Sequence, residues 1–351
     1  MTLRVGVVGA GMIAAIHAEA IRRTEGTELA GVWDRGSGRG AEIAPECQSL
    51  STPGASLAQF VARDDLDAIT VASPSGAHLE AALLAAEGGK HCLVEKPLEI
   101  TVERIDRMID AHRRSGTVLA GIFNTRYTEG ARLLREARLA GRFGRLTYLC
   151  ATCPWWREQS YYSSSDWKGT WALDGGGALM NQGIHSIDLL QWLANEPVVA
   201  VSGQIATLAH DGVEVEDTGV AHLKFASGAL GTVACTTSVW PGHFRTITVA
   251  GTDGSAVLAD GNLLEWQFRK ERDEDAEIRA NLLSLPGDGV GAANPSAGVD
   301  AAGHAAVLAD FADAVARGRA PAVDGLEARK AVALIAAIYA SSRQGGQLME
   351  P

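Results

Sequence analysis

Between residues 3 and 123, short apolar runs alternate with stretches of helical period. LRVGVVGA, ELAGVWD, AITVAS, HCLVEK and TVLAGIF read as strands. MIAAIHAEAIRRT, SLAQFVAR, AHLEAALLAAEGG and ERIDRMIDAHRRSG read as helices, with apolar positions recurring three and four apart. Strands this continuously apolar are covered on both faces. The alternation therefore predicts βαβ units and a doubly wound, mostly parallel sheet with helices on both sides.

After about residue 145 the pattern changes. GRLTYLCATC, PVVAVSGQIATL, GVAHLKFASGALGTVACTTSV, FRTITVAG and SAVLADGNLLEWQF are longer strands, punctuated by SG, TDGS and ADGN turns. They predict an antiparallel sheet with one face open. Residues 270 to 303 are charged, then rich in Gly, Ala and Pro, and read as a long loop. Two helices follow, AAVLADFADAVARG and EARKAVALIAAIYASSRQ. The fold class is α/β, with a parallel-sheet domain over 1–122 and an α/β domain with a large, mostly antiparallel sheet over 123–351. A chain of 351 residues has room for two such domains.

Composition narrows the function. The formal net charge of −11 and the lack of a basic run argue against nucleic acid. No apolar stretch reaches the roughly 18 residues of a membrane helix. The first strand starts almost at Met1, which leaves no room for a signal peptide. With five cysteines, an odd number, a cytoplasmic protein is expected. Cys150 and Cys153 form a CxxC, but within a strand and without a second pair, so no metal site is expected.

Gly9-Ala10-Gly11-Met12-Ile13-Ala14 is G-x-G-x-x-A at a strand end and a helix start. Gly9 suits a tight turn, Gly11 lets backbone approach a pyrophosphate, and Ala14 lets helix and strand pack closely. The second strand ends in Asp34, placed to accept hydrogen bonds from ribose hydroxyls and to repel a 2′-phosphate. Arg35, Ser37 and Arg39 follow, so NAD is favoured while NADP is not excluded. Two later strand ends, Ser73-Pro74-Ser75 with His78 and Glu95-Lys96-Pro97, face the same crevice if the sheet is doubly wound.

GGGALMNQGIHSIDLL, residues 175–190, places three glycines before an Asn181/His185/Asp188 stripe at i, i+4, i+7. With VGVVGAGMIA, VASPSGAH, VEKPL, EDTGVAHLKFASGALG and DFADAVARGRAPAVDG, this block resembles the Gfo/Idh/MocA oxidoreductases nearly end to end. The resemblance implies a Rossmann domain and an open-sheet domain that commonly forms a homodimer or homotetramer interface. It also implies hydride transfer between a nicotinamide and a hydroxyl carbon of a sugar or cyclitol. It assigns catalysis to His185, pointing at that carbon, and to Lys96, reaching it from the other domain. The glycines would let the helix backbone crowd the substrate. Loss of hydride requires loss of the hydroxyl proton to a base within about 3 Å. A histidine, with an ordinary pKa of about 6.5, suits that task; Lys96 serves as a polarising cation or, if neutral, as the base.

One departure stands out. Many inositol-dehydrogenase-like members carry Asp where this chain has Asn181, and an amide cannot accept a proton. Asn181 is thus expected to orient substrate, and sugars other than myo-inositol, including nucleotide-linked or acidic ones, come into view. Asp188 is read as structural, paired with His185 or bonded on its helix face. Asn124 is expected near the cofactor, and Arg126 near the substrate or in an interdomain ion pair. The aromatic and cationic stretch 155–168 offers Tyr162, Trp167 and Lys168 as further substrate contacts, with Trp155, Trp156, Arg157 and Tyr161 around them. Two other readings remain. One is a non-turnover dinucleotide and sugar sensor. The other is an enzyme that recycles NAD(H) internally, in sugar–sugar oxidoreduction or glycoside cleavage.

Overall fold

The computed structural model describes residues 2–47, 56–284 and 301–351. The chain divides into two compact units, Met1–Asn124 with Val299–Arg329, and Thr125–Gly298 with Lys330–Pro351.

The first unit alternates as the pattern predicts: β1 (Leu3–Val8), α1 (Met12–Arg23), β2 (Thr27–Trp33), α2 (Arg39–Ile43), α3 (Leu57–Val61), β3 (Ala68–Val71), α4 (His78–Glu87), β4 (His91–Val94), α5 (Val102–Ser115) and β5 (Leu119–Gly121). The five strands lie in the order β2-β1-β3-β4-β5, every pair parallel. β3 is buried along its whole length, as a strand covered on both faces must be. Local signals set the helix ends. Thr101 caps α5 by accepting from the Arg104 N–H, and Gly116 ends it in the left-handed region.

The second unit holds α6 (Glu129–Leu139), β6 (Leu146–Pro154), α7 (Gln159–Ser163), a π-helical segment (Ala178–Gly183) running into α8 (Ile184–Ala194), then β7 (Val198–Ala206), β8 (Thr218–Phe225), β9 (Leu230–Thr236), β10 (Thr246–Gly251), β11 (Gly254–Ala259), β12 (Asn262–Phe268) and α9 (Asp273–Leu282). Its seven-stranded sheet has the order β12-β11-β10-β6-β9-β8-β7. Only the β6–β9 pair is parallel. β8 alternates buried and exposed residues along its length, the mark of a sheet with one open face. α10 (Ala301–Arg317) belongs to the first unit, and α11 (Gly325–Arg343) carries the chain from the first unit to the second.

The expected loop over 270–303 is corrected in part. Its charged start is α9, whose acidic first turn suits a helix N-terminus, with Asp275 accepting from the Arg272 N–H. Residues 301–303 open α10, and 285–300 lie outside the described residues.

Candidate active site

In the first unit, the motif residues gather at the carboxyl ends of adjacent strands. Gly9 follows β1, Asp34 follows β2, Ser73 follows β3, and Glu95-Lys96 follow β4. Gly9 has φ +114°, and a Cβ there would meet the Ala72 carbonyl oxygen at 2.7 Å. At Gly11 a Cβ would meet nothing within 4 Å, so the space before α1 is open. Gly11 caps that helix without a side chain, and the first turn carries no acid. An uncapped helix N-terminus facing open space suits a pyrophosphate. Met12 is exposed and Ile13 half-buried beside it.

The carboxylate of Asp34 accepts from the N–H groups of Gly36, Ser37 and Gly40, which fixes the loop after β2. Burial opposes its charge, but these donors outweigh burial and hold the carboxyl below its ordinary range. The negative charge is therefore fixed at the carboxyl end of β2. Arg35 is exposed next to it.

His78 and Glu95, expected near the cofactor, both have partners within the first unit. The His78 ring contacts the Ser73 carbonyl through Nε2 and the Pro97 and Leu98 carbonyls through Nδ1, tying two strand-end loops together. Glu95 is buried; its Oε1 accepts from His17 Nε2 at 3.0 Å and His304 Nε2 at 2.8 Å, and its Oε2 accepts from the Lys96 N–H at 2.9 Å. Lys96 is half-buried. Ser75 is buried, Ser73 and Pro74 are half-buried, and Asn124 packs against Gly303 of α10.

In the second unit, Asn181 closes on Asp174: its Nδ2 donates to Oδ1 at 2.5 Å. Gln182 Nε2 donates to Asn181 Oδ1 and to the Tyr161 hydroxyl, and Gln182 Oε1 accepts from Arg157 at 3.0 Å. The Arg157 guanidinium stacks 4.8 Å from the Trp155 ring and 5.5 Å from Tyr161. Lys168 Nζ sits 4.1 Å over Tyr161, with Ser164 Oγ at 3.1 Å. Burial lowers the Lys168 pKa, while Asp174 pulls it back up. Two cations, two aromatic rings and two amides thus form one polar wall. Trp167 lies half-buried in the same stretch.

His185 is half-buried on the same helix face as Asn181, whereas the residues between them are buried. It lines a small pocket with Thr125, Leu189, Arg245 and Asp260. The stripe then splits. Asp188 turns into the unit and accepts from Nη2 and Nε of Arg126, at 2.6 and 2.8 Å, with both side chains nearly sealed from solvent. Arg126, expected near the substrate or in an interdomain ion pair, is thus held by Asp188 of its own unit. Tyr162, expected at the substrate, is buried, and its hydroxyl bonds Thr237 Oγ1 at 2.8 Å. Burial raises its pKa to about 12, so the phenol stays neutral.

The glycines before the helix answer to packing. A Cβ on Gly176, at φ +153°, would fall on the Tyr339 hydroxyl; one on Gly177 would fall on the Glu216 carbonyl oxygen. Buried Glu216 accepts from the N–H groups of Gly177 and Leu179 and from the Tyr339 hydroxyl, so it caps the π-helical turn. Gly176 thus packs against Tyr339 of α11, and Gly177 against the Val215–Glu216 backbone that precedes β8.

Sequence reasoning passed over Asp174, Gln182, Glu216, His17 and His304. His17 carried a signal, a polar residue on the apolar face of α1. His304 carried none, since its partner lies 209 residues away.

A parallel dinucleotide-type sheet with an open glycine cradle, joined to a unit bearing a polar and aromatic wall, defines an NAD-binding oxidoreductase. The oxidoreductase family with an NAD-binding Rossmann fold matches residues 3–123, and the GFO/IDH/MocA C-terminal domain matches 131–257. The chain belongs to the Gfo/Idh/MocA family. It is 30% identical over 266 residues to a 1,5-anhydro-D-fructose reductase of Ensifer adhaerens, spanning 72% of this chain and 75% of that one. It is 27% identical over 263 residues to the myo-inositol 2-dehydrogenase of Thermotoga maritima, spanning 74% and 75%. The WlbA dehydrogenase of Bordetella pertussis, solved with NADH and UDP-GlcNAcA, superposes with a TM-score of 0.87 at 31% identity, covering 100% of this chain and 98% of that one. The chain is an NAD-binding oxidoreductase.

Proposed function

We propose that the substrate is a sugar bearing a negative charge, a uronic acid joined to a nucleotide, oxidised at a secondary hydroxyl. The observation that carries this reading is the pairing of Arg157 and Lys168 around the Tyr161 ring, one residue from Asn181 through Gln182. Two cations beside a stacking plane and an amide suit a carboxylate on a sugar face better than a neutral cyclitol. The full-length likeness to a dehydrogenase solved with UDP-GlcNAcA supports the same class.

The residues divide the work as follows. Gly9, Gly11 and the first turn of α1 hold the pyrophosphate of NAD, and Asp34 receives the ribose. When bound, NAD supplies the hydride acceptor. Asn181, oriented by Asp174, holds a sugar hydroxyl. His185 takes the proton of the hydroxyl being oxidised, and Lys96 polarises its oxygen as a cation. The open sheet face, with Tyr148, Val220 and Leu230 exposed, serves assembly with further copies. Five free cysteines fit a cytoplasmic setting; no helix among the described residues is long and apolar enough to cross a membrane.

The test follows nicotinamide absorbance with NAD+ against UDP-GlcNAcA, UDP-GlcNAc, free hexuronic acids, neutral hexoses and myo-inositol. Turnover confined to the uronic acids supports the proposal. Equal turnover of UDP-GlcNAc, or turnover of myo-inositol alone, overturns it.

A further inference from the structure

Asp260 and Gly261 form the two-residue turn between β11 and β12, and both take positive φ, +45° and +94°. Asp-Gly suits such a turn, so conformation alone would explain the pair. It does not explain the side chain. A hairpin tip ordinarily faces water, yet the Asp260 carboxylate is 1% exposed. Its Oδ1 accepts from Arg245 Nε at 2.6 Å, and its backbone N–H donates to the Arg245 carbonyl. Its Oδ2 is buried and has no partner among the described residues. Thr125 Oγ1 is orphaned in the same way. Both residues line one small cavity with Arg245 and His185, against the apolar side chains of Ile247 and Leu258. All of them belong to the second unit. The cavity measures about 20 Å³, the space of a single water molecule. A water at such a site needs about two to four polar partners, and the two orphaned oxygens begin that set.

We propose that Asp260 and Thr125 hold a water molecule that bridges to the His185 ring, which makes Asp260 a positioning residue for the base. The ring's Nδ1 is a buried atom, which leaves Nε2 for the substrate. A carboxylate oxygen only accepts, so the water donates one hydrogen to Asp260 Oδ2. It gives the other to Thr125 Oγ1. Its lone pair then receives the His185 Nδ1–H, and the neutral ring is held with Nε2 bare. That is the tautomer a base acting through Nε2 needs, and it is set by the bond the other nitrogen makes. The Arg245 pair fixes which way the carboxylate points.

This role rests on His185 being the base proposed above, but its first readout needs no substrate. Asp260→Asn keeps the turn, since Asn-Gly serves it as well as Asp-Gly. With the Asn Oδ1 on Arg245, the cavity receives an N–H donor in place of an acceptor. The water then reverses, donates to Nδ1 and leaves the proton on Nε2. Nitrogen NMR of the full-length protein labelled on histidine, at alkaline pH, reads the tautomer, with the His185 signals identified by their loss in His185→Gln. Wild type should show the Nδ1–H form, and Asp260→Asn should move the population to Nε2–H. With UDP-GlcNAcA, kcat of Asp260→Asn should fall about tenfold while KM stays within about twofold. A high-resolution crystal structure of the wild type should show the water between Asp260 Oδ2 and Thr125 Oγ1, and Thr125→Val should lose it. If Asp260→Asn does not fold, Thr125→Val decides, through that water and a smaller, about threefold, loss of kcat. An Nε2–H ring in wild type, an unmoved tautomer in folded Asp260→Asn, or a wild-type crystal without the water overturns the proposal. A tautomer that inverts as expected while the sugar panel stays silent supports the water bridge and overturns only the substrate reading.

Discussion

Asn181 donates its amide to Asp174 Oδ1 at 2.5 Å, so a carboxylate stands one bond behind the amide that replaces the usual acid of the family. Asp174 is fully buried, and its other oxygen accepts the Gly169 N–H. Exchanging Asn181 for Asp would set two carboxylates against each other, and such a pair cannot hold both charges. Asn181→Asp should lower kcat/KM at neutral pH about tenfold or more and shift the pH profile, because one carboxyl takes up a proton. The exchange variant Asn181→Asp/Asp174→Asn should recover part of the loss. Steady-state kinetics across pH checks this. A wild-type profile in the single variant would remove the Asp174 contact from the account.

One glycine in each unit should respond in opposite ways to the same methyl group. Gly176→Ala drives a Cβ into the Tyr339 hydroxyl and forces an alanine to φ +153°. It should cost about 2–4 kcal/mol in urea unfolding. Gly11→Ala meets nothing within 4 Å and should leave stability within about 0.5 kcal/mol of wild type. It fills the cradle, however, and should weaken NAD binding in a fluorescence titration. Equal stability losses at the two positions would contradict the division into packing and cofactor glycines.

His112 gives the first unit an acid-sensitive point. Its Nε2 donates to the Ala82 carbonyl and its Nδ1 faces Thr117 Oγ1, so the buried ring is neutral. Burial lowers its pKa to about 4. The unfolded ring, near 6.5, binds a proton earlier than the folded one, so this stability is complete above about pH 6.5 and is lost as pH falls towards 4, by up to about 3 kcal/mol. Denaturant midpoints at pH 7.5 and 5 should converge between wild type and His112→Gln as pH falls. A constant gap would contradict the assignment.

The layout of both sheets was legible because strand period and turn residues are local properties. β8 announces its open face through alternation, and the Gly9–Ala14 motif announces its turn through residue type. In the candidate site, residue type and spacing singled out Gly11 and Asp34 at strand ends and Asn181 and His185 on one helix, and the structure leaves Gly11 facing open space and Asn181 and His185 half-buried. It was opaque where function depends on a partner far along the chain. Nothing near Arg126 says that Asp188 claims it, and nothing in GGG says whether the methyl-free backbone faces a ligand or Glu216. The helix of 273–282 was hidden for a different reason: its charge-rich run has no apolar stripe, and its acidic first turn was the only sign.

The division of labour between Lys96 and His185 leads to the last prediction. If Lys96 acts as a fixed cation, a residue that cannot lose its proton should replace it in part. Lys96→Arg should keep activity within roughly two orders of magnitude of Lys96→Met at the low end and of wild type at the high end, and its rate should not recover at high pH. Lys96→Met should lose about 10²–10⁴-fold in kcat. His185→Ala removes the base and should lose a similar 10²–10⁴-fold, while NAD affinity, set in the first unit, stays near wild type. Added imidazole should restore part of the His185→Ala rate, since the pocket at Thr125, Leu189 and Arg245 is left open by the truncation. Were Lys96→Arg as inactive as Lys96→Met while His185→Ala kept its rate, the lysine would be the base and the histidine a spectator.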